Sequence, residues 1–271
     1  MVPVRKQARR VGAALLFLVG APLMAAPSNP LLETWKGPYG GVPPFDQVKV
    51  EQFKPALEAA MAEELREIDA IANDPAPPNF DNTIAALERA GRTFNRVQTV
   101  FGIFSSTMSD DAFQAIERDM APKLAAFGDQ ITQNAKLFAR VAKVYEQRGS
   151  TDLSPEQQRL VWVDYTGFVR AGAKLDAKAK DRLSAINQRL ATLFTSFSQN
   201  VLADETDYKL VLDEESDLAG LPDSLRAAAA AAAESRGLKG KWAILNTRSS
   251  MEPFLTYSAR RDLREQVWRT Y

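Results

Sequence analysis

The sequence predicts an all-α protein, mainly helical, with a short β pair near 207–246. Three observations carry that class. Apolar residues recur at steps of three and four through most of the chain, the spacing of one helix face. Clusters of Pro, Gly and Asn divide this pattern into pieces of helical length. An uninterrupted run of alanines from Ala227 to Ala233 adds the residue of highest helix propensity. At 271 residues, with 45% hydrophobic and 25% charged residues, the composition is that of a globular protein of one large domain or two.

Residues 1–26 read as a signal peptide. Arg5, Lys6, Arg9 and Arg10 form a basic start, Val11 to Val19 an apolar stretch, and Ala25, Ala26 and Ser28 a small-residue exit with cleavage expected near Ala26. An uncleaved anchor is the alternative, but Gly20 and Pro22 break the apolar run short of the roughly 20 residues that span a bilayer. Arg9–Arg10 also raises a twin-arginine signal. The predicted location is periplasmic or secreted, with no stable membrane insertion after cleavage. Removal of this segment takes away four basic and no acidic residues, so the remainder is net acidic and a nucleic-acid partner is not expected.

Residues 27–54 form an extended lead-in, with "KGPYGGVPPFDQV" from Lys36 to Val48 its Gly- and Pro-rich centre. A phosphate loop is a poor alternative, because no Gly-Lys-Ser/Thr follows and no strand precedes. The helical domain is expected over 55–271. Pro55 opens a helix with Leu57, Met61, Leu65 and Ile68 on one face, ended by "NDPAPPN". A second, capped by Asp81 or Asn82, carries the stripe Ile84, Leu87, Phe94, Val97, Phe101 and Phe104, which reads as core. The pattern continues through Leu124, Phe127, Ile131, Phe138 and Val141 to Gly149, with an interruption or kink at Pro122. Ser154, Pro155 and Gln157 make a capping box for the next helix.

Asp176 then caps a long helix with Leu183, Ile186, Leu190, Leu193, Phe197 and Val201 at steps of three and four. It reads as a central packing helix, with a dimerising coiled coil as the alternative. "DYKLVLD" alternates as a strand, "GKWAILN" can pair with it, and the alanine helix lies between them with Gly237 as its terminal glycine. The last helix, "SARRDLREQVWRTY", has Ser258 as N-cap and no stop signal, which predicts a domain truncated at its carboxyl end.

Function is constrained first by what the residues exclude. With no Cys and no His in the chain, disulfides, thiolate sites, Ser-His-Asp triads, Cys-His pairs and H-E-x-x-H zinc sites cannot form within it. The acid pairs Glu63–Glu64, Asp110–Asp111 and Glu214–Glu215 remain, but neighbours on one helix point apart and read as solvated faces. Trp35, Trp162, Trp242 and Trp268 are dispersed and mark no stacking platform.

The stretch "PPFDQVKVEQFKPALEAAMAEELREIDAIANDPAPPNFDNTIAALERAG" resembles the amino-terminal region of the zinc oligopeptidases related to peptidyl-dipeptidase Dcp, oligopeptidase A and thimet oligopeptidase. "LFARVAKVY", "RLVWVDYTGFVRAGAKL", "RLSAINQRLATLFTSFSQNVLAD" and "LREQVWRTY" are similar to later landmarks of that region in the same order, so the likeness runs from about Asn29 to Tyr271. "FVRAGAKL" and the secretory start favour the peptidyl-dipeptidase branch.

The resemblance implies a periplasmic zinc metallopeptidase that releases dipeptides from the carboxyl ends of short peptides. In that family zinc is held by the two His of an H-E-x-x-H helix and a downstream Glu, and the motif Glu acts as general base. No such residue exists here, so no catalytic or metal residue carries over. The implied role is that of the amino-terminal helical half, which walls a channel admitting short flexible peptides. The implied partners are short peptides and a missing carboxyl-terminal catalytic part, with zinc bound outside this chain. The 271-residue chain alone is expected to be inactive. Two other readings stand beside this one: an exported helical peptide-binding protein without enzymatic activity, and a hydrolase using carboxylates alone.

Overall fold

The computed structural model describes residues 29–39 and 41–271. The signal sequence expected over 1–26 lies outside the described residues.

The lead-in is irregular, but hydrogen bonds tie it to the first helical segment. The Asn29 amide donates to the Gln52 carbonyl at 2.9 Å and its Oδ1 accepts the Leu31 N–H at 3.1 Å, which sets Leu31 into the core beside Phe53 and Leu57. After a 3₁₀ turn at Val50–Gln52, helix α1 runs from Phe53 to Ala72. It begins two residues before the proline expected to open it. Pro55 still falls in the first turn, where a missing N–H costs no intrahelical bond.

Asn79, rather than Asp81 or Asn82, starts the next segment. Its Oδ1 accepts the Asn82 N–H at 2.9 Å while Asn82 Oδ1 accepts the Asn79 N–H at 2.9 Å. A π-helical turn at Phe80–Ile84 leads into α2 (Ala85–Arg89), and the chain then breaks before α3 (Arg92–Thr107). The single helix expected here is therefore two. Gly91 adopts a left-handed conformation at φ 70°, and its N–H donates to Glu67 Oε2 of α1 at 2.8 Å. A tertiary hydrogen bond thus favours the break over continuation.

Helix α4 (Asp111–Thr132) contains Pro122 without interruption. The bond forgone there is to the carbonyl of Arg118, an exposed residue whose oxygen water can serve, while Met120 and Phe127 hold both halves against the core. The pattern read as continuous to Gly149 instead stops at Gln133, and Asn134 caps α5 (Ala135–Gln147) by accepting the Leu137 N–H at 3.0 Å. Helix α6 (Pro155–Arg170) starts with the capping box read from Ser154 and Gln157. Asp176 caps α7 (Ala177–Asp207) through the Ala179 N–H at 2.8 Å.

The aromatic stripe of α3 is core, as its spacing indicates. Phe53 meets Phe104 and Phe113 edge-on at 4.8 and 5.3 Å between ring centres, and Val97, Val100 and Met120 close around them. A smaller core joins Ile84, Val141, Val144 and Val161 across α5 and α6. Arg140 of α5 is only 7% exposed and donates to the carbonyls of Asp74 and Ala76 at 2.7 and 3.0 Å, tying down the proline-rich connection after α1.

Strand β1 (Lys209–Leu212) pairs antiparallel with β2 (Trp242–Leu245), with α8 (Asp223–Glu234) between them in sequence and Gly237 following it at φ 75°. Helices α9 (Arg248–Tyr257) and α10 (Arg261–Thr270) complete this second lobe around Leu212, Leu225, Ile244, Phe254 and Val267. Ser258 does not cap the last helix. It is buried at the turn between α9 and α10, where its Oγ accepts the Arg260 N–H at 3.2 Å, and the helix starts after Arg260. No described helix is long and apolar enough to cross a membrane.

Candidate functional site

The acid pairs are brought into no common cleft. Glu63 and Glu64 are half-buried rather than solvated, because α1 packs on the α2–α3 break. Thr93 Oγ1 donates to Glu63 Oε1 at 3.1 Å, and burial, followed by the neighbouring Glu67 charge, pushes the Glu64 carboxyl above its ordinary range. Asp110 caps α4 through the Phe113 N–H at 2.8 Å, and Glu215 pairs with Arg226 at 3.1 Å. These carboxylates position helices.

Asp164 of α6 was not singled out by its sequence. Burial, then the charge of Glu88, raises its carboxyl from 3.8 to about 6, and its buried Oδ2 has no hydrogen-bond partner among the described residues. Glu88 is a second carboxylate near it, and a raised acid beside another carboxylate also arises in structural clusters, so the shift alone does not make a catalytic site. No three metal-ligating side chains gather among the described residues, so the residues present do not fit zinc.

The Gly-rich lead-in forms a bridge between Lys36 and Val42 rather than a helix-opening phosphate cradle. Trp35 packs on the first core and Trp242 on the second lobe's core, while Trp162 and Trp268 are exposed. The four indoles share no platform, as their dispersion indicates.

The strongest functional feature is a surface. Helix α7 has no buried residue, so it is not the central packing helix that its apolar spacing predicts. It lies along α4 by its polar side. Lys180 donates to the Gln133 carbonyl at 3.1 Å, Asn187 to Asp129 Oδ1 at 2.7 Å, and Gln199 to the Gln114 carbonyl at 3.0 Å. At about 100° per residue the apolar positions Ile186, Leu190, Leu193, Phe194, Phe197 and Val201 fall within an arc of about 100° beside that contact. All six are exposed, Phe194 and Phe197 to 67% each. A hollow of about 250 Å³ adjoins Phe194, lined by Ser105, Glu117, Ser198 and Gln199, with Ser105 Oγ hydrogen-bonded to Glu117. Open and lined by apolar as well as polar side chains, Phe194 and Leu202 among them, it can accept hydrogen-bonding groups.

Such a surface gives no chemistry of its own, and relatives supply the context. Dipeptidyl carboxypeptidase of Salmonella typhimurium is 37% identical over 241 residues, covering 89% of this chain and 35% of the relative. The Escherichia coli protein of the same name is 37% identical over 240 residues with the same shares. The chain is homologous to the dipeptidyl carboxypeptidases and oligopeptidases A. Oligopeptidase A of Haemophilus influenzae, at 29% over 244 residues, represents the second group, so identity is higher toward the peptidyl-dipeptidase branch, as the sequence landmarks indicate. The chain spans about a third of the length of the curated relatives it matches. No family model matches the chain.

Proposed function

We propose that this chain is the helical, channel-forming part of a periplasmic zinc metallopeptidase that removes dipeptides from the carboxyl ends of short peptides. The observation that carries this reading is the 37% identity to dipeptidyl carboxypeptidase over 89% of the chain. The absence of His and Cys supports the corollary that zinc and the attacking water are handled by residues outside these 271. What these residues supply is shape: two helical cores that set the wall a peptide passes. The secretory start supports the periplasmic location.

The reading is tested by a chimera in which the matched third of the Salmonella dipeptidyl carboxypeptidase is replaced by residues 29–271. Release of a carboxyl-terminal dipeptide from an amino-blocked tripeptide, abolished by chelator and within about tenfold of the parent, is the expected result. A folded, zinc-loaded chimera that releases no dipeptide would overturn it. The 271-residue chain by itself is expected to lose zinc on dialysis and to leave the same peptide intact, whereas stoichiometric zinc with chelator-sensitive cleavage would contradict the corollary.

A further inference from the structure

We infer that the apolar face of α7 is a seat within one protein, covered by the polypeptide that the relatives carry outside the matched third. The inference rests on the proposed peptidase function and extends it by naming a surface and its occupant.

Helix α7 satisfies its polar side on α4, through Lys180, Asn187 and Gln199, and leaves the apolar arc beside that contact exposed. The arc reads Ile186, Leu190, Leu193, Phe197 and Val201, the four- and three-residue spacing by which one helix accepts another polypeptide. It continues at its amino-terminal end into Leu183 and Leu175, whose side chains lie together against Gly172. Charge is absent as well as apolarity present. From Leu190 to Ala203 no residue is charged, in a chain where 25% are. Water-facing helices carry charge, whereas the centres of protein interfaces are depleted of it and enriched in aromatics such as Phe194 and Phe197. Permanent interfaces are the more apolar kind.

The relatives' length selects the occupant. This chain matches 35% of them, so the remaining 65% is polypeptide that must pack against the matched third somewhere, and α7 offers a continuous uncharged face for it. A second copy of this chain on the same face is the competing occupant, and it is read out by the same experiment.

The chain has no cysteine, so Leu193→Cys introduces one addressable thiol on the face, and Ser196→Cys introduces a control at an exposed position of the same helix outside the apolar arc. Maleimide labelling of each peptide is followed by mass spectrometry in the isolated chain and in the chimera. In the isolated chain both thiols should react at rates within about fivefold of each other. In the chimera Leu193→Cys should slow by a hundredfold or more while Ser196→Cys stays fast. Equal, fast labelling at both positions in a folded chimera would overturn the inference. So would slow labelling of Leu193→Cys in an isolated chain that sediments as a dimer. An active chimera with a fast thiol at 193 sinks the inference and spares the functional reading; an inactive one with a slow thiol does the reverse. Should the chimera not fold, Leu193→Ser and Phe197→Ser in the isolated chain decide. A melting temperature within about 2 °C of the parent supports a free face, and a loss beyond about 5 °C means that the face is already covered.

Discussion

Replacing Gly91 with alanine should weaken the helical lobe by about 2 kcal/mol. Two effects contribute. Gly91 sits at φ 70°, where an L side chain costs roughly 1–2 kcal/mol. A Cβ there would also lie 2.4 Å from Glu64 Cδ and within 2.5 and 2.6 Å of its two carboxylate oxygens. The carboxylate must move, and because Glu64 Oε2 is buried with no partner it has no hydrogen bond to lose, so displacement adds only about 1 kcal/mol. Against these, alanine restricts the unfolded chain and returns about 0.5–1 kcal/mol. The assay is urea unfolding followed by far-ultraviolet circular dichroism in four proteins: parent, Gly91→Ala, Glu64→Ala and the double variant. Removing the Glu64 carboxylate should recover about half of the Gly91→Ala loss while leaving the dihedral cost, a coupling that the cycle isolates. A Gly91→Ala protein within about 0.5 kcal/mol of the parent, or a double variant with no recovery, would refute the reasoning.

Two further expectations concern the same lobe. Asp164→Asn should stabilise the protein above pH 6 and not at pH 4. A carboxyl raised to about 6 in the folded state binds more protons folded than unfolded between its ordinary 3.8 and 6, so stability falls as pH rises through that window and then stays level. The full shift is worth roughly 3 kcal/mol, reduced to about 1 kcal/mol because the group is only partly buried, and urea unfolding at pH 4 and pH 8 reads it. An equal effect at both pH values would exclude this origin. Arg140→Met should cost about 3 kcal/mol by stranding the Asp74 and Ala76 carbonyls, while Asp74→Asn should cost under about 1 kcal/mol, because that carboxylate lies 3.4 Å away and is partly exposed. Similar losses in the two variants would shift the weight from the carbonyls to the ion pair.

What was legible in the sequence is what local chemistry decides. Ser154 with Gln157, Asp176, the alternation in Lys209–Leu212 and the stripe from Phe94 to Phe104 act on neighbours within one or two turns, so their spacing suffices. The break at Gly91 was hidden because the Glu67 that accepts its N–H belongs to another helix. Pro122 does not interrupt its helix because the bond it forgoes is to the carbonyl of Arg118, an exposed residue. Ser258 has the chemistry of an N-cap but is buried at a turn of the second lobe, where the next residue, Ala259, donates its N–H to the Ala219 carbonyl at 2.8 Å. The α7 face shows the deeper limit: periodicity reports that a face is apolar and says nothing of what covers it. No zinc-binding constellation was legible because the chain has no His, which an H-E-x-x-H motif requires.

The clamp of α7 onto α4 also bears on how the chain is made. Its last hydrogen bonds to α4 are at Gln199, before β1 begins at Lys209, so the contacts that hold α7 on α4 use no residue of the second lobe. At 5–20 residues per second the second lobe follows over roughly 3–13 s, and whatever polypeptide comes after it takes longer. Until that polypeptide arrives the uncharged arc from Ile186 to Val201 lies open on the helical lobe, a surface that a holdase chaperone can cover and that a wrong partner can also find.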